Sequence, residues 1–394
     1  MFKYCLTIKS SIVQCLGVRT VKVMATLMAL TLYALPGFSG ELAPIDEAVT
    51  LAQVRDKGRI HTLLVLADRH KSITGIDLSA YSGLFVADPF QIVRKLGHQG
   101  LVALAQSSTA PKRTWPYTEL LPVSRNYQHH VAVGTNYPEH AEETDLDEGV
   151  FLFPKIVQGT PPITGIVAKP DYLLDYEVEL CVQFDRVIKN VTDFAQSQKG
   201  FFVCGDFTDR ASLLREVDTS NIESGIGFTD AKSMPGFFPT GPYLVIPRDW
   251  QGFLEKIRLR LFVNEQLRQD AQVVDMIMPL DEIVTTALQT GREARWRYAK
   301  KPVSLLPKDK LQKGAVVLTG TPAGVVFRPP GTGFIVRHGL GYVFSGAFLK
   351  TGPVDYVVEK HIDRQMAEGK YLKPGDSIAL TATFLGAITV TIVN

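Results

Sequence analysis

Two glutamates stand two residues apart in the apolar run Asp175-Tyr-Glu-Val-Glu-Leu-Cys-Val-Gln-Phe184. In a strand, that spacing puts the carboxylates of Glu177 and Glu179 on one face, roughly 6–7 Å apart, close enough to share a cation. A second apolar run, Gly200-Phe-Phe-Val-Cys-Gly-Asp-Phe207, carries Asp206 and adds a third carboxylate if its strand lies beside the first. Three oxygen ligands with no His or Cys nearby suit Mg²⁺, Mn²⁺ or Ca²⁺ better than zinc. Taken alone, a Glu-x-Glu pair is more often the wet face of a half-exposed strand, because charges are usually solvated.

A second group that can do chemistry lies upstream, in Gly134-Thr-Asn-Tyr-Pro-Glu-His-Ala-Glu-Glu143. Pro138 and the acids after it read as a helix start, since carboxylates in a first turn suit the helix dipole. His140 and Glu143 are three apart and share a helical face. Glu143 can then orient the imidazole while His140 takes a proton from water. The plain alternative is an acidic helix start with a surface histidine. Residues 143–149, with Asp145, Asp147 and Glu148, read either as a lid that orders over substrate or as a solvated loop.

These motifs occur in order with Phe151-Leu-Phe-Pro154, Gly205-Asp-Phe-Thr-Asp-Arg210, Lys232 followed by Pro239-Thr-Gly-Pro242, Thr319-Gly-Thr-Pro-Ala-Gly-Val325 and Leu372-Lys-Pro-Gly-Asp376. The ordered set resembles the fumarylacetoacetate hydrolase family and covers most of residues 122–394. The resemblance implies an α+β, β-rich fold, a mixed β-sandwich roll preceded by a small N-terminal domain. It also implies Glu177, Glu179 and Asp206 as metal ligands, with Mg²⁺ (or Mn²⁺ or Ca²⁺) as cofactor. His140, Glu143 and Lys232 would be catalytic, and Tyr137, Arg210 and Thr321 would contact substrate. The implied reaction is hydrolysis of a carbon–carbon bond in a 2-oxo acid of the acylpyruvate or fumarylacetoacetate type. Water activated by the His–Glu pair attacks a carbonyl, and the ion and Lys232 stabilise the enolate that leaves. An oxaloacetate-type decarboxylase, an isomerase or hydratase on the same metal site, and a secreted binding protein without turnover are the alternatives. A homodimer is also implied.

The chain departs from the family pattern in three places. Phe153 stands where the F-x-K-P motif has its lysine, with Lys155 two residues later; Gly205 replaces the asparagine before the metal aspartate; and Met234-Pro235-Gly236 replaces a common F-D-T. The carboxylates and the dyad are retained.

The rest of the chain must position these groups. Its 394 residues, 45% hydrophobic with a formal net charge of +2, allow a sizeable core and show no basic footprint for nucleic acid. A small-molecule site is the better default. Residues 1–40 lack any acid and place Lys3, Lys9, Arg19 and Lys22 ahead of the uncharged run Val23–Leu35, the pattern of a secretory signal. Export would make the protein extracytoplasmic, periplasmic or secreted; an uncleaved membrane anchor and an organelle transit peptide are the alternatives. Residues 41–121 read as the small N-terminal domain, with helical periodicity at 89–104 interrupted by Gly97 and Gly100, and 107–130 as a Pro-rich linker. Residues 122–394 read as the catalytic domain, strand-rich with few helices, the clearest at 280–292. Cys181 shares strand parity with Glu179, and Cys204 with Asp206. A disulfide is conceivable in an oxidising compartment, but buried free thiols are the expectation. The connection 328–370 is longer than the resemblance leads one to expect and reads as a cover for the site's mouth or an interface.

Overall fold

The computed structural model describes residues 40–143, 149–218 and 220–394. The segment read as an export signal and residues 144–148 of the acidic segment lie outside the described residues.

Near-continuous apolar runs make the centre of the molecule. In the strands Val178–Phe184 and Lys199–Gly205 every residue is buried, as a strand covered on both faces requires. They pair antiparallel, with Cys204 opposite Glu179 and Val182 opposite Phe201. Around them a ten-stranded sheet runs in the order Lys112–Pro116, Ser72–Asp77, Arg59–Asp68, Ala48–Asp56, Leu244–Pro247, Lys199–Gly205, Val178–Phe184, Val316–Leu318, His129–Gly134, Phe151–Ile156. The N-terminal strands therefore continue the sheet that carries the glutamates. A five-stranded sheet, Gln266–Gln272, Arg258–Val263, Ser377–Ala382, Gly386–Val393 and Ile163–Val167, packs against the central pair. Its Arg258–Val263 strand alternates half-buried and buried residues, the signature of a sheet with one face toward the core. Each of these two sheets contains one parallel pairing among antiparallel ones. The fold is thus mixed α+β and sheet-rich, as expected.

Three expectations are corrected. The linker contains the strand Lys112–Pro116, whose exposed polar side chains hid it; it is the sheet's edge, where prolines and charges are tolerated. Cys181 and Cys204 form a disulfide rather than free thiols. The antiparallel register brings their Cα atoms to 5.9 Å, within bridging range, and the bridge ties together the two strands that lead to the carboxylates. Helices are also more numerous than expected. The connection 328–370 folds into a hairpin of two, Thr332–Phe344 and Pro353–Glu368. The helical stretch 89–106 does break at Gly97, whose φ of 68° interrupts it.

Candidate active site

Glu177 immediately precedes one central strand and Asp206 immediately follows its neighbour, so the ladder carries both to the same end of the sheet. The Asp206 amide donates to the Glu177 carbonyl at 3.0 Å. One oxygen each from Glu177, Glu179 and Asp206 lies within 4.8 Å of the others, and all three side chains are buried. The expected convergence is therefore present.

Two lysines and an arginine are folded into this cluster. Lys232, from the short helix Phe228–Lys232, reaches Glu177 at 2.6 Å and Asp206 at 2.9 Å. Arg210 bridges Asp175 at 2.9 Å and Glu177 at 2.7 Å. Lys155, fully buried on the Phe151–Ile156 strand, donates to Asp206 Oδ1 at 2.5 Å and to the Lys232 carbonyl. Position 153 has no lysine, but Lys155, a single pleat away, reaches Asp206. Burial opposes the charge on Lys232, but Asp206 and Glu177 outweigh it and raise its pKa. At Lys155 burial prevails and the pKa falls.

Four buried carboxylates, Asp175, Glu177, Glu179 and Asp206, face three buried cations. Glu179 is the carboxylate with no ion pair among the described residues; it accepts the Gly320 amide at 2.7 Å. Burial, then the charges of Asp206 and Glu177, push its pKa well above the ordinary carboxylate range. Glu177 moves the other way: burial is outweighed by Lys232, Arg210 and His140. A buried, all-oxygen donor set in which one carboxylate lacks a cationic partner fits a hard divalent cation, and Glu177, Glu179 and Asp206 are the residues that would hold it. Tyr137 adds a second sign. It is fully buried rather than on the pocket wall, and its hydroxyl lacks a partner among the described residues. Burial first, and then the charge of Glu179, raise its pKa.

His140 and Glu143 occupy the helix Pro138–Glu143, which Asn136 anchors by donating to the Thr319 and Met278 carbonyls at 2.7 and 3.0 Å. Glu143 Oε2 lies 3.3 Å from His140 Nδ1. The same carboxylate accepts the Gly324 amide at 3.0 Å and Arg328 at 2.7 Å. Burial opposes ionisation of Glu143, but these partners outweigh it and hold its pKa below the ordinary value. His140, Glu177, Arg210, Lys232 and Thr321 line one pocket together with Phe151, Phe153, Phe228 and Phe327. Thr321 is tied inward: its hydroxyl donates to the Val178 carbonyl at 3.0 Å and accepts from Gln269 at 2.9 Å.

The turn holding Thr321 depends on Gly324, whose φ is +112° and where a Cβ would lie 1.9 Å from the Arg268 carbonyl oxygen. Gly324→Ala is expected to cost about 1–3 kcal/mol in stability and to withdraw the amide that Glu143 accepts. Thermal denaturation should show the loss, and unchanged stability and turnover would remove this turn from the site's support.

Sequence reasoning missed three contributors. Asp175 accepts the Val326 and Phe327 amides as well as Arg210, joining the 320s turn to the carboxylates. Gln269 comes from the second sheet, and Arg328 opens the long connection; neither belonged to a recognisable motif. Lys155 was visible only as a displaced lysine, although it shares strand parity with Phe153.

A profile of the fumarylacetoacetate (FAA) hydrolase C-terminal domain matches residues 129–393. An uncharacterized Staphylococcus aureus protein is 25% identical over 280 residues, which are 69% of this chain and 71% of that protein. Fumarylacetoacetate hydrolase from psychrophilic Exiguobacterium antarcticum superposes with a TM-score of 0.54 at 19% identity, covering 88% of this chain and 99% of that one. A 2-hydroxyhepta-2,4-diene-1,7-dioate isomerase from Mycobacterium marinum gives 0.51 at 18%, covering 88% and 98%. At these identities the structural likeness is one of fold.

Proposed function

The chain belongs to the fumarylacetoacetate hydrolase family, whose members are enzymes acting on small molecules, and from that premise we propose that it hydrolyses a carbon–carbon bond in a 2-oxo acid of the acylpyruvate type, with Mg²⁺ as cofactor. The observation that carries this reading is that His140, held by Glu143, and Glu177, one of the three converging carboxylates, line one pocket.

A divalent ion bound by Glu177, Glu179 and Asp206 would polarise the substrate's oxygens and offset the negative charge that develops as the bond breaks. The chain's own groups supply the rest. Glu143 holds Nδ1 of His140, so the imidazole takes the proton from the attacking water at Nε2. Ionised Glu143 stabilises the imidazolium, and its depressed pKa keeps it ionised for that role. Proton return from His140 then serves the leaving carbon. Lys232 and Arg210 keep their charge in the buried site and present a fixed positive field to an anionic substrate, where preorganised charge has its greatest effect.

Charge balance supports a monoanionic substrate. With all four carboxylates ionised around the ion and all three buried cations charged, the cluster and a divalent ion sum to one positive charge, which a single substrate carboxylate neutralises. The phenylalanine wall, including Phe153 in place of the family lysine, favours an apolar acyl group over a second carboxylate such as the fumaryl end would bring. Incubation with Mg²⁺, a panel of acylpyruvates and oxaloacetate, following enol absorbance and CO₂, tests the reading. The expected result is acid release without CO₂, faster for alkyl or aryl acyl groups than for fumaryl. CO₂ from oxaloacetate would move the assignment to decarboxylation, and binding without products to a non-catalytic role.

A further inference from the structure

The connection Arg328–Lys370 leaves an apolar surface that the reaction does not use. Its second helix, Pro353–Glu368, is fastened to the body: Ile362 joins Leu173, Ala211, Leu214 and Tyr371 in a small apolar cluster, and Glu359 pairs with Arg215 at 2.7 Å. Its first helix, Thr332–Phe344, has no buried residue. Phe334 and Tyr342 are half-buried and pack against the second helix, Phe334 edge-on to His361 at 5.4 Å and Tyr342 tilted against Tyr356 at 5.6 Å. Val336, Leu340 and Val343 recur at helical spacing on another face and are 57, 57 and 59% exposed. Phe344, Phe348 and Leu349 extend this patch at 86, 56 and 79%. Eight of the fifteen exposed large apolar side chains among the described residues fall between Ile335 and Val354, and contiguous exposed apolar surface of this kind marks a binding site.

We infer that the tip of this hairpin docks on an anionic lipid surface. Between residues 329 and 354 the sequence holds Arg337, His338 and Lys350 and no acid. Arg337 and Lys350 form no ion pair among the described residues. Exposed apolar and aromatic side chains edged by unpaired cations complement anionic headgroups over an acyl boundary. A second copy fits less well, because a two-fold contact lays the same cationic patch on itself. No helix among the described residues is long and apolar enough to cross a membrane; the contact inferred is with the bilayer surface. The inference does not rest on the reaction proposed above.

Amide exchange of the full-length chain, with and without vesicles of phosphatidylcholine and phosphatidylglycerol, reads this segment directly, separately from any binding by the apolar N-terminal run. Protection of residues 332–350 is expected with anionic vesicles, weakened by replacing the anionic lipid or raising the salt. Leu340→Glu/Phe344→Glu/Leu349→Glu exchanges three exposed apolar side chains for charges and should abolish that protection. It should also lower any vesicle partitioning owed to the hairpin more than about tenfold, with enzyme activity unchanged. Absence of protection with anionic vesicles would overturn the proposal. So would protection that needs no lipid: if it grows with protein concentration the patch is a self-association surface, and if it does not, the chain covers the patch itself.

Discussion

Glu179→Gln is expected to abolish divalent-ion binding and turnover together while leaving the ion-free protein folded. The substitution preserves shape and keeps an oxygen to accept the Gly320 amide. It removes the carboxylate that has no cationic partner and that burial and its two acidic neighbours disfavour in the ionised form. Loss of groups that merely orient metal ligands costs 10–100-fold in affinity, so loss of a ligand should cost more than about 100-fold. The stability signature has a definite sign. Because the folded-state pKa of Glu179 is raised, this residue's contribution weakens as pH climbs from the ordinary carboxylate range through the folded value. Ion-free Glu179→Gln should lack that loss and be at least as stable as the parent at neutral pH. Added Mg²⁺ should raise the melting temperature of the parent and not of the variant. Calorimetric titration and thermal melts check both points; parental Mg²⁺ affinity in the variant would remove Glu179 from the ligand set.

The second large effect is expected at the dyad. His140→Ala should reduce hydrolysis about 10²–10⁴-fold, the usual contribution of a positioned general base, while Mg²⁺ affinity stays near the parental value because no carboxylate oxygen is removed. Glu143→Gln should act in the same direction. It leaves a neutral side chain opposite Nδ1 and facing Arg328, so the imidazolium loses its counter-charge. Single-turnover rates at saturating substrate separate chemistry from binding. Parental rates in His140→Ala would take this pair out of the mechanism.

The carboxylate cluster was legible in the sequence because strand geometry is local. Glu-x-Glu at the start of one apolar run and Asp at the end of the next must meet if the runs pair antiparallel, and they do. The cations around the cluster were harder to read. Lys155 lay one pleat from its expected place, and Arg210 and Lys232 acquire their partners only when separate helices pack against the sheet. Asp175, Gln269 and Arg328 act through backbone amides and neighbouring turns, which leave no residue-type pattern. The disulfide needed the register, since parity alone did not show that the cysteines stand within bridging distance. The hairpin helices were hidden for another reason. Thr332–Phe344 carries glycines at 333, 339 and 341 and exposes apolar residues, so it lacks the polar outer face by which a surface helix is recognised.

A crystal of the protein soaked in Mn²⁺, with data collected at the manganese edge, would locate the cation directly. The expected result is one anomalous peak among Glu177, Glu179 and Asp206, about 2.0–2.4 Å from an oxygen of each, as a hard cation with oxygen ligands requires. If instead Lys155 and Lys232 keep the contacts they make with Asp206 and Glu177, and no peak lies among the three carboxylates, the cluster is an internal ion-pair network and the metal-dependent reaction is not its function.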